Sequence, residues 1–500
     1  MPSANPLLTW EAALGEPLLR FVLNRDEGPL DEELDDARQM VLYDLDSGGV
    51  IGPGDDPRYP VALGGVTGDE PSSAWKLRAR SGGAIPEPPG DDSLGRALTL
   101  IARDSYPVLL SLPDLTVEFV PGRSLAASDP SIGLSQLVTA HPTHDVAQRE
   151  LAAEAEGWQD VVVESILSRD RLSGAPTPDA VISAAAERWQ HRPDADVGHF
   201  LGDVLACLAA LRSLGAGKTV AAVAVIGLHG LEIKSDLEYE LPVGLLRTPT
   251  DHEAGYAPFF QGPTEVDAVL VVPTTLTPTP PEAPAEIQMK KQLEIAEVAR
   301  TVSLAAALSR REERDFPAAI AVSWITEWTP MQGSGAFKPG PVERWVPKVT
   351  YSEVELNRLG DWIERVQSAD IGRISIAVDR ILRAIFEVEA AESLIDAVIA
   401  WENLFGSRIE TVYKVTASLA VLCEDDPAKR ITFRKELDKL YEERSRLVHG
   451  DKAGAAFEVR NRAIQIGLEA IARLIEKRPD LMEFAKSSKR ADRLLLSVDD

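Results

Sequence analysis

From Tyr351 onward the chain shows no strand signal: apolar residues recur every three to four positions, and the alternation that would lay one face on a sheet is missing. Six segments carry this period: 352–368, 374–389, 392–405, 409–423, 428–448 and 455–475. Their connections are short, which suits helices packed as an antiparallel bundle. The last third of the chain is therefore expected to be all-α.

The region before it is different. Strand-like runs with β-branched enrichment fall at 106–120 (YPVLLSLPDLTVEFV), 219–228 (TVAAVAVIGL), 231–243 and 266–273, and helical ones at 144–167 and 198–214. Gly- and Pro-rich stretches at 82–92 and 273–286 read as breaks. A long helix should follow at 285–313, then a strand at 319–328 and a loop at 333–348. The expected fold class is multidomain: an α+β sensing or regulatory region at 1–285, a helix-plus-loop connector at 286–350, an all-α domain at 351–485 and a C-terminal tail at 486–500.

Five hundred residues, 44% hydrophobic and 26% charged, can bury sizeable cores and are not the composition of a disordered chain. Cys207 and Cys423 sit in apolar helical surroundings and cannot build a disulfide framework. The N-terminus has no basic segment followed by an apolar run, and no eighteen uninterrupted apolar residues occur, so a cytoplasmic protein without a membrane partner is expected. A formal charge of -27 repels nucleic acid at long range. That charge is uneven: residues 428–500 hold 17 Lys or Arg against 13 Asp or Glu, leaving 35 against 66 for residues 1–427. Contact with nucleic acid is expected only at the C-terminal end.

Within 437–451 (LDKLYEERSRLVHGD), Arg444 has Leu440, Tyr441, Leu447 and Val448 at helical neighbour spacing, all apolar or aromatic. Arg446 has Glu442 and Glu443 behind it and belongs to a solvated face. An arginine on the apolar stripe keeps its charge, so it must meet a carboxylate or be held open for an anion such as phosphate. Glu402, with Val398, Ile399 and Phe405 around it, is the matching misplaced acid. A Glu402–Arg444 ion pair between helices would make Arg444→Ala cost about 3 to 5 kcal/mol, and Arg446→Ala almost nothing. His449 precedes Gly450 and Asp451, a helix-stop signal. Five steps of about 100° set it roughly 140° from Arg444, so the two converge only if the last turn deviates or two subunits face each other.

Arg444 to His449 (RSRLVH) resembles the arginine, four-to-six residues, histidine motif of HEPN domains, and LYEERSRLVHG resembles their Apea-like branch in its tyrosine, Arg-Ser and His-Gly. The upstream LIDAVIAWENLFG is similar to that branch's helix and marks Glu402 as the matching acid, with Trp401 where leucine is more usual. The resemblance spans about a quarter of the chain, residues 371–475. It implies a metal-independent endoribonuclease, cytoplasmic and bacterial, in anti-phage defence or stress response. Catalysis would rest on Arg444, His449 and Glu402, with Tyr441 and Ser445 in support. His449 would move a proton at the ribose 2'-hydroxyl or the leaving oxygen, and Arg444 would stabilise charge on phosphate. The implied partners are RNA (a tRNA or an mRNA), a second copy joined through the HEPN domain, and a trigger or ligand at the N-terminal region. Ser445 stands where many active members have Asn, Asp or His. The competing expectation is a non-catalytic dimerisation or binding scaffold with a structural Glu402–Arg444 pair.

No cofactor or metal is expected, because seven histidines and two cysteines offer no ligand spacing. His141-Pro-Thr-His144 reads as a surface loop. GAGKT at 215–219 lacks the first glycine of a phosphate loop and lies between a helix and a strand in the wrong order, so a turn with an exposed Lys218 is expected. The acidic stretch 26–36 reads as a solvated face.

Overall fold

A computed structural model describes residues 15–25, 30, 35–47, 71–110, 130–158, 161–166, 169–172, 176–193, 195–234, 238–250, 253–254, 266–282, 286–312, 320–330, 336–337, 348–449 and 455–496. Most of the acidic stretch 26–36, residues 111–120 of the strand expected at 106–120, most of the 333–348 loop, and Gly450 and Asp451 lie outside them.

Among the described residues, eight helices lie before residue 216: α1 (Glu16–Val22), α2 (Asp36–Ser47), α3 (Ser73–Arg80), α4 (Ser93–Leu110), α5 (Pro130–Ala140), α6 (His144–Ala155), α7 (Pro178–Gln190) and α8 (Val197–Gly215). Tyr106 to Leu110, expected as strand, is the last turn of α4 despite Pro107. Packing overrides the local preference: Tyr106 is buried against the rings of Phe21, Trp75, Trp189 and Phe200. His141 is no surface residue either; it is buried, with Nε2 3.3 Å from Asp104 Oδ2. Helix α8 is the one described helix long and apolar enough to cross a membrane, and its Phe200, Val204, Cys207 and Leu211 are buried in this N-terminal core.

The sheet is built from β1 (Val162–Glu164), β2 (Arg169–Arg171), β3 (Val220–His229), β5 (Tyr239–Leu241), β6 (Gly244–Arg247), β7 (Ala268–Thr279), β8 (Ala321–Glu327) and β9 (Ala336–Phe337). All its pairings are antiparallel; β4 (Leu231–Glu232) and β10 (Val349–Thr350) form a separate parallel pair. Two expectations fail here. Residues 162–164 continue the helical pattern of 144–155 in sequence but form β1, where they gain a partner in β7. The break expected at Pro273 is instead the middle of β7. Pro273 pairs with Val223 of β3 on one side, and on the other lies between the residues held by β6 (269–271) and β1 (277–279). That edge has no ladder for a missing N–H to interrupt. Gly215 to Thr219 is the expected turn from α8 to β3, with Lys218 exposed.

The remaining helices are α9 (Glu286–Ser309), α10 (Glu353–Ser368), α11 (Ser375–Phe386), α12 (Ala390–Phe405), α13 (Thr411–Cys423), α14 (Pro427–Val448), α15 (Phe457–Glu476), α16 (Pro479–Met482) and α17 (Ser487–Leu496). The C-terminal part is helix-rich, as its periodicity requires. Its core runs without interruption past position 351. Ala224, Ile226 and Leu228 of β3, Val302 and Leu308 of α9, Trp362 of α10, and Trp401 of α12 belong to one buried cluster. Trp401 is fully buried beside Gly467 of α15, where any side chain would run into Ile381 and crowd the indole. The tail is not loose: α17 packs on α12 and α13 and buries Arg490.

Candidate functional site

Helix α14 starts on a strong signal, Pro427 at its first turn and Asp426 accepting from the Ala428 N–H at 2.9 Å. It lies across α12, whose stripe of Leu394, Val398, Trp401 and Phe405 is buried. At their contact the Tyr441 hydroxyl donates to Oε1 of Glu402. Burial, reinforced by the Glu402 hydrogen bond and charge, pushes the Tyr441 phenol well above its usual range, with Arg444 opposing. The phenol stays a donor across the working pH range, and Glu402 is held as its acceptor.

The expected Glu402–Arg444 ion pair is therefore not made: among the described residues, Tyr441 takes the carboxylate and Arg444 has no ion pair. Arg444 is half-buried beside Tyr441, and its Nε is buried without a hydrogen-bond partner. Its neighbours explain the partial burial, since Leu440 and Tyr441 are core residues while Val448 is 51% exposed. Arg446 lies on the solvated face as expected, with Nη2 2.6 Å from Glu442. Ser445 contributes its carbonyl, which accepts from the His449 N–H at 3.0 Å. His449 caps α14 in ordinary right-handed geometry and is exposed. The last turn does not deviate enough to fold the imidazole back toward Arg444. A single chain joins Tyr441 to Glu402 and sets Arg444 beside Tyr441, while His449 stands exposed at the end of α14.

Glu402 also faces outward into a cleft of ≈ 1060 Å³ between the starts of α11, α13 and α17 and the end of α12. Gly406 ends α12 there, in a position where a Cβ would strike the Glu402 carbonyl. The sequence reading missed the cleft's basic residues, Arg373, Arg408, Lys414, Lys486 and Arg490. They come from four separate segments, and no local spacing joins them.

Two further buried charge networks lie on the N-terminal side. Glu327, at the end of β8, accepts from the Ile166 N–H and is fully buried. Burial raises its pKa to about 7 against the pull of that hydrogen bond and of Lys291. His191 sits between Glu187 and Glu253, with Nδ1 2.6 Å from Glu253 Oε1. Burial opposes its charge, but the two carboxylates win and lift its pKa to about 9. Arg247 Nη1 and Nη2 bind the same Glu253 at 2.6 and 2.7 Å.

No family model, no curated protein and no solved structure matches this chain.

Proposed function

We propose that the chain is an RNase effector: a metal-independent endoribonuclease of the HEPN kind, acting in the cytoplasm as a dimer in bacterial anti-phage defence or stress response. Its N-terminal α+β region senses the trigger. The observation that carries the reading is the state of Arg444. Among the described residues the guanidinium makes no ion pair, so its charge is not consumed by a carboxylate and can act on a phosphate. The scaffold alternative expects a Glu402–Arg444 pair with His449 pointing away; among the described residues the pair is not made, while His449 is exposed at the end of α14.

In this reaction the 2'-hydroxyl attacks its own phosphate, the P–O5' bond breaks, and the products are a 2',3'-cyclic phosphate and a 5'-hydroxyl. His449 transfers the proton, either from the nucleophile or to the leaving oxygen. Arg444 stabilises the extra negative charge on phosphorus oxygens. Glu402 and Tyr441 fix the helix pair that carries Arg444. Since His449 and Arg444 diverge within one chain, a second copy completes the site, and exposed Val448 and Phe457 on either side of the 450–454 connection supply apolar surface for it. The test is incubation of the purified full chain with total RNA in excess chelator, wild type beside His449→Ala. Cleavage by wild type alone supports the reading; no cleavage by wild type under activating conditions favours the scaffold.

A further inference from the structure

The cleft beside Glu402 holds far more positive charge than an RNA-cutting site on α14 uses. Five cations line it against one carboxylate. Two are partly neutralised, Lys414 by Asp492 at 2.8 Å and Arg373 by Asp370 at 3.2 Å. Arg408 and Lys486 are exposed and have no ion pair among the described residues.

Arg490 is the telling member. It is 1% exposed and gives its hydrogen bonds to three carbonyls, Leu404 at 2.9 Å, Phe484 at 2.6 Å and Asn403 at 2.6 Å. Among the described residues it has no carboxylate partner, and burial alone draws its pKa down to about 10. Carbonyl dipoles satisfy its donors but leave its formal charge uncompensated, which is costly unless an anion supplies the balance. Helices α11 and α13 also begin at the rim with no side-chain cap, so their N–H groups add positive potential.

Shape and chemistry narrow the occupant. The volume lies at the upper end of the ~300–1,000 Å³ typical of small-molecule sites, so one phosphate would fill little of it. Among the described residues no aromatic side chain lines the cleft, so a base would find no stacking platform there. Serine and threonine hydroxyls, at Ser375, Ser407 and Thr411, line it instead.

We propose that this cleft binds a ligand bearing several linked phosphates, either the phosphodiester backbone of a nucleic acid or a free polyphosphate, by charge and without reading bases. The inference does not rest on the ribonuclease reading, because binding here needs neither Arg444 nor His449. The test uses the full chain and two probes: a short 2'-O-methyl oligoribonucleotide, which 2'-hydroxyl chemistry cannot cut, and inorganic tripolyphosphate. Arg408→Glu/Lys486→Glu should weaken binding about tenfold or more and lower the salt slope by about 2. Arg408→Gln/Lys486→Gln should give a smaller loss in the same direction, with circular dichroism unchanged for both variants. Loss confined to the oligonucleotide assigns a nucleic-acid backbone, and loss confined to tripolyphosphate assigns a free polyphosphate. Unchanged affinity for both probes in a folded variant overturns the proposal, as does failure of wild type to bind either.

Discussion

The Tyr441 hydroxyl donates to Glu402 across the contact of α14 with α12, and Arg444, one turn on from Tyr441, makes no ion pair among the described residues. Tyr441→Phe removes the only described donor to Glu402. A hydrogen bond to a charged group contributes about 1.5 to 3 kcal/mol, and Glu402 can recover water from the cleft, so the loss should fall near the lower figure. Urea unfolding of the two proteins measures it; superimposable curves would deny the bond a stabilising role.

Arg444→Ala is now expected to be mild in stability. With Glu402 satisfied by Tyr441, no buried carboxylate is stranded, and Arg444→Ala should unfold within about 1 kcal/mol of Arg446→Ala. A loss of about 3 to 5 kcal/mol on Arg444→Ala alone would restore the ion pair read from the sequence.

Glu327 should make the fold less stable as pH rises. Its folded pKa, about 7, lies above the ordinary 4.5, so the folded state binds the proton more tightly than the unfolded chain. The penalty is absent below about 4.5 and complete above about 7, reaching on the order of 3 kcal/mol. Glu327→Gln keeps an oxygen for the Ile166 N–H and cannot ionise. Melting curves should show the variant more stable than wild type near pH 8.5, with the difference vanishing near pH 4. A constant difference at both would contradict the burial of an ionisable carboxyl there.

His191 works in the opposite protonation sense. Its folded pKa of about 9 exceeds the ordinary 6.5, so its stabilisation is fully present below 6.5 and is lost as pH rises through 9. His191→Gln should lower the melting temperature near pH 6 and converge on wild type near pH 10. Arg247 remains on Glu253 in the variant, so the site should stay folded while it is measured.

The helix-rich C-terminal part was legible because its longer helices repeat the 3.6-residue period several times, as in 353–368 and 457–476. The long strand β3, and β7 as far as Pro273, were visible through their β-branched residues. Short elements were not: β1 has three residues, and Tyr106 takes helix only because four other rings surround it. At the site, sequence spacing singled out Glu402 and Arg444, and both are half-buried. It matched them to each other because it counted Tyr441 as an apolar neighbour and overlooked its hydroxyl. Arg490 was hidden for a related reason, since its partners are backbone carbonyls contributed by other segments.

The central claim is that Arg444 and His449 serve an attack by the RNA's own 2'-hydroxyl. Once a cleavage position is mapped in an RNA oligonucleotide, the decisive measurement compares that RNA with one carrying a single 2'-deoxy substitution at the attacking ribose, in excess chelator. The all-ribose strand should be cut to a 2',3'-cyclic phosphate end, the substituted strand should stay intact at that position, and His449→Ala should cut neither while still folding. Cleavage of the deoxy position, or cleavage that chelator abolishes, would contradict that claim.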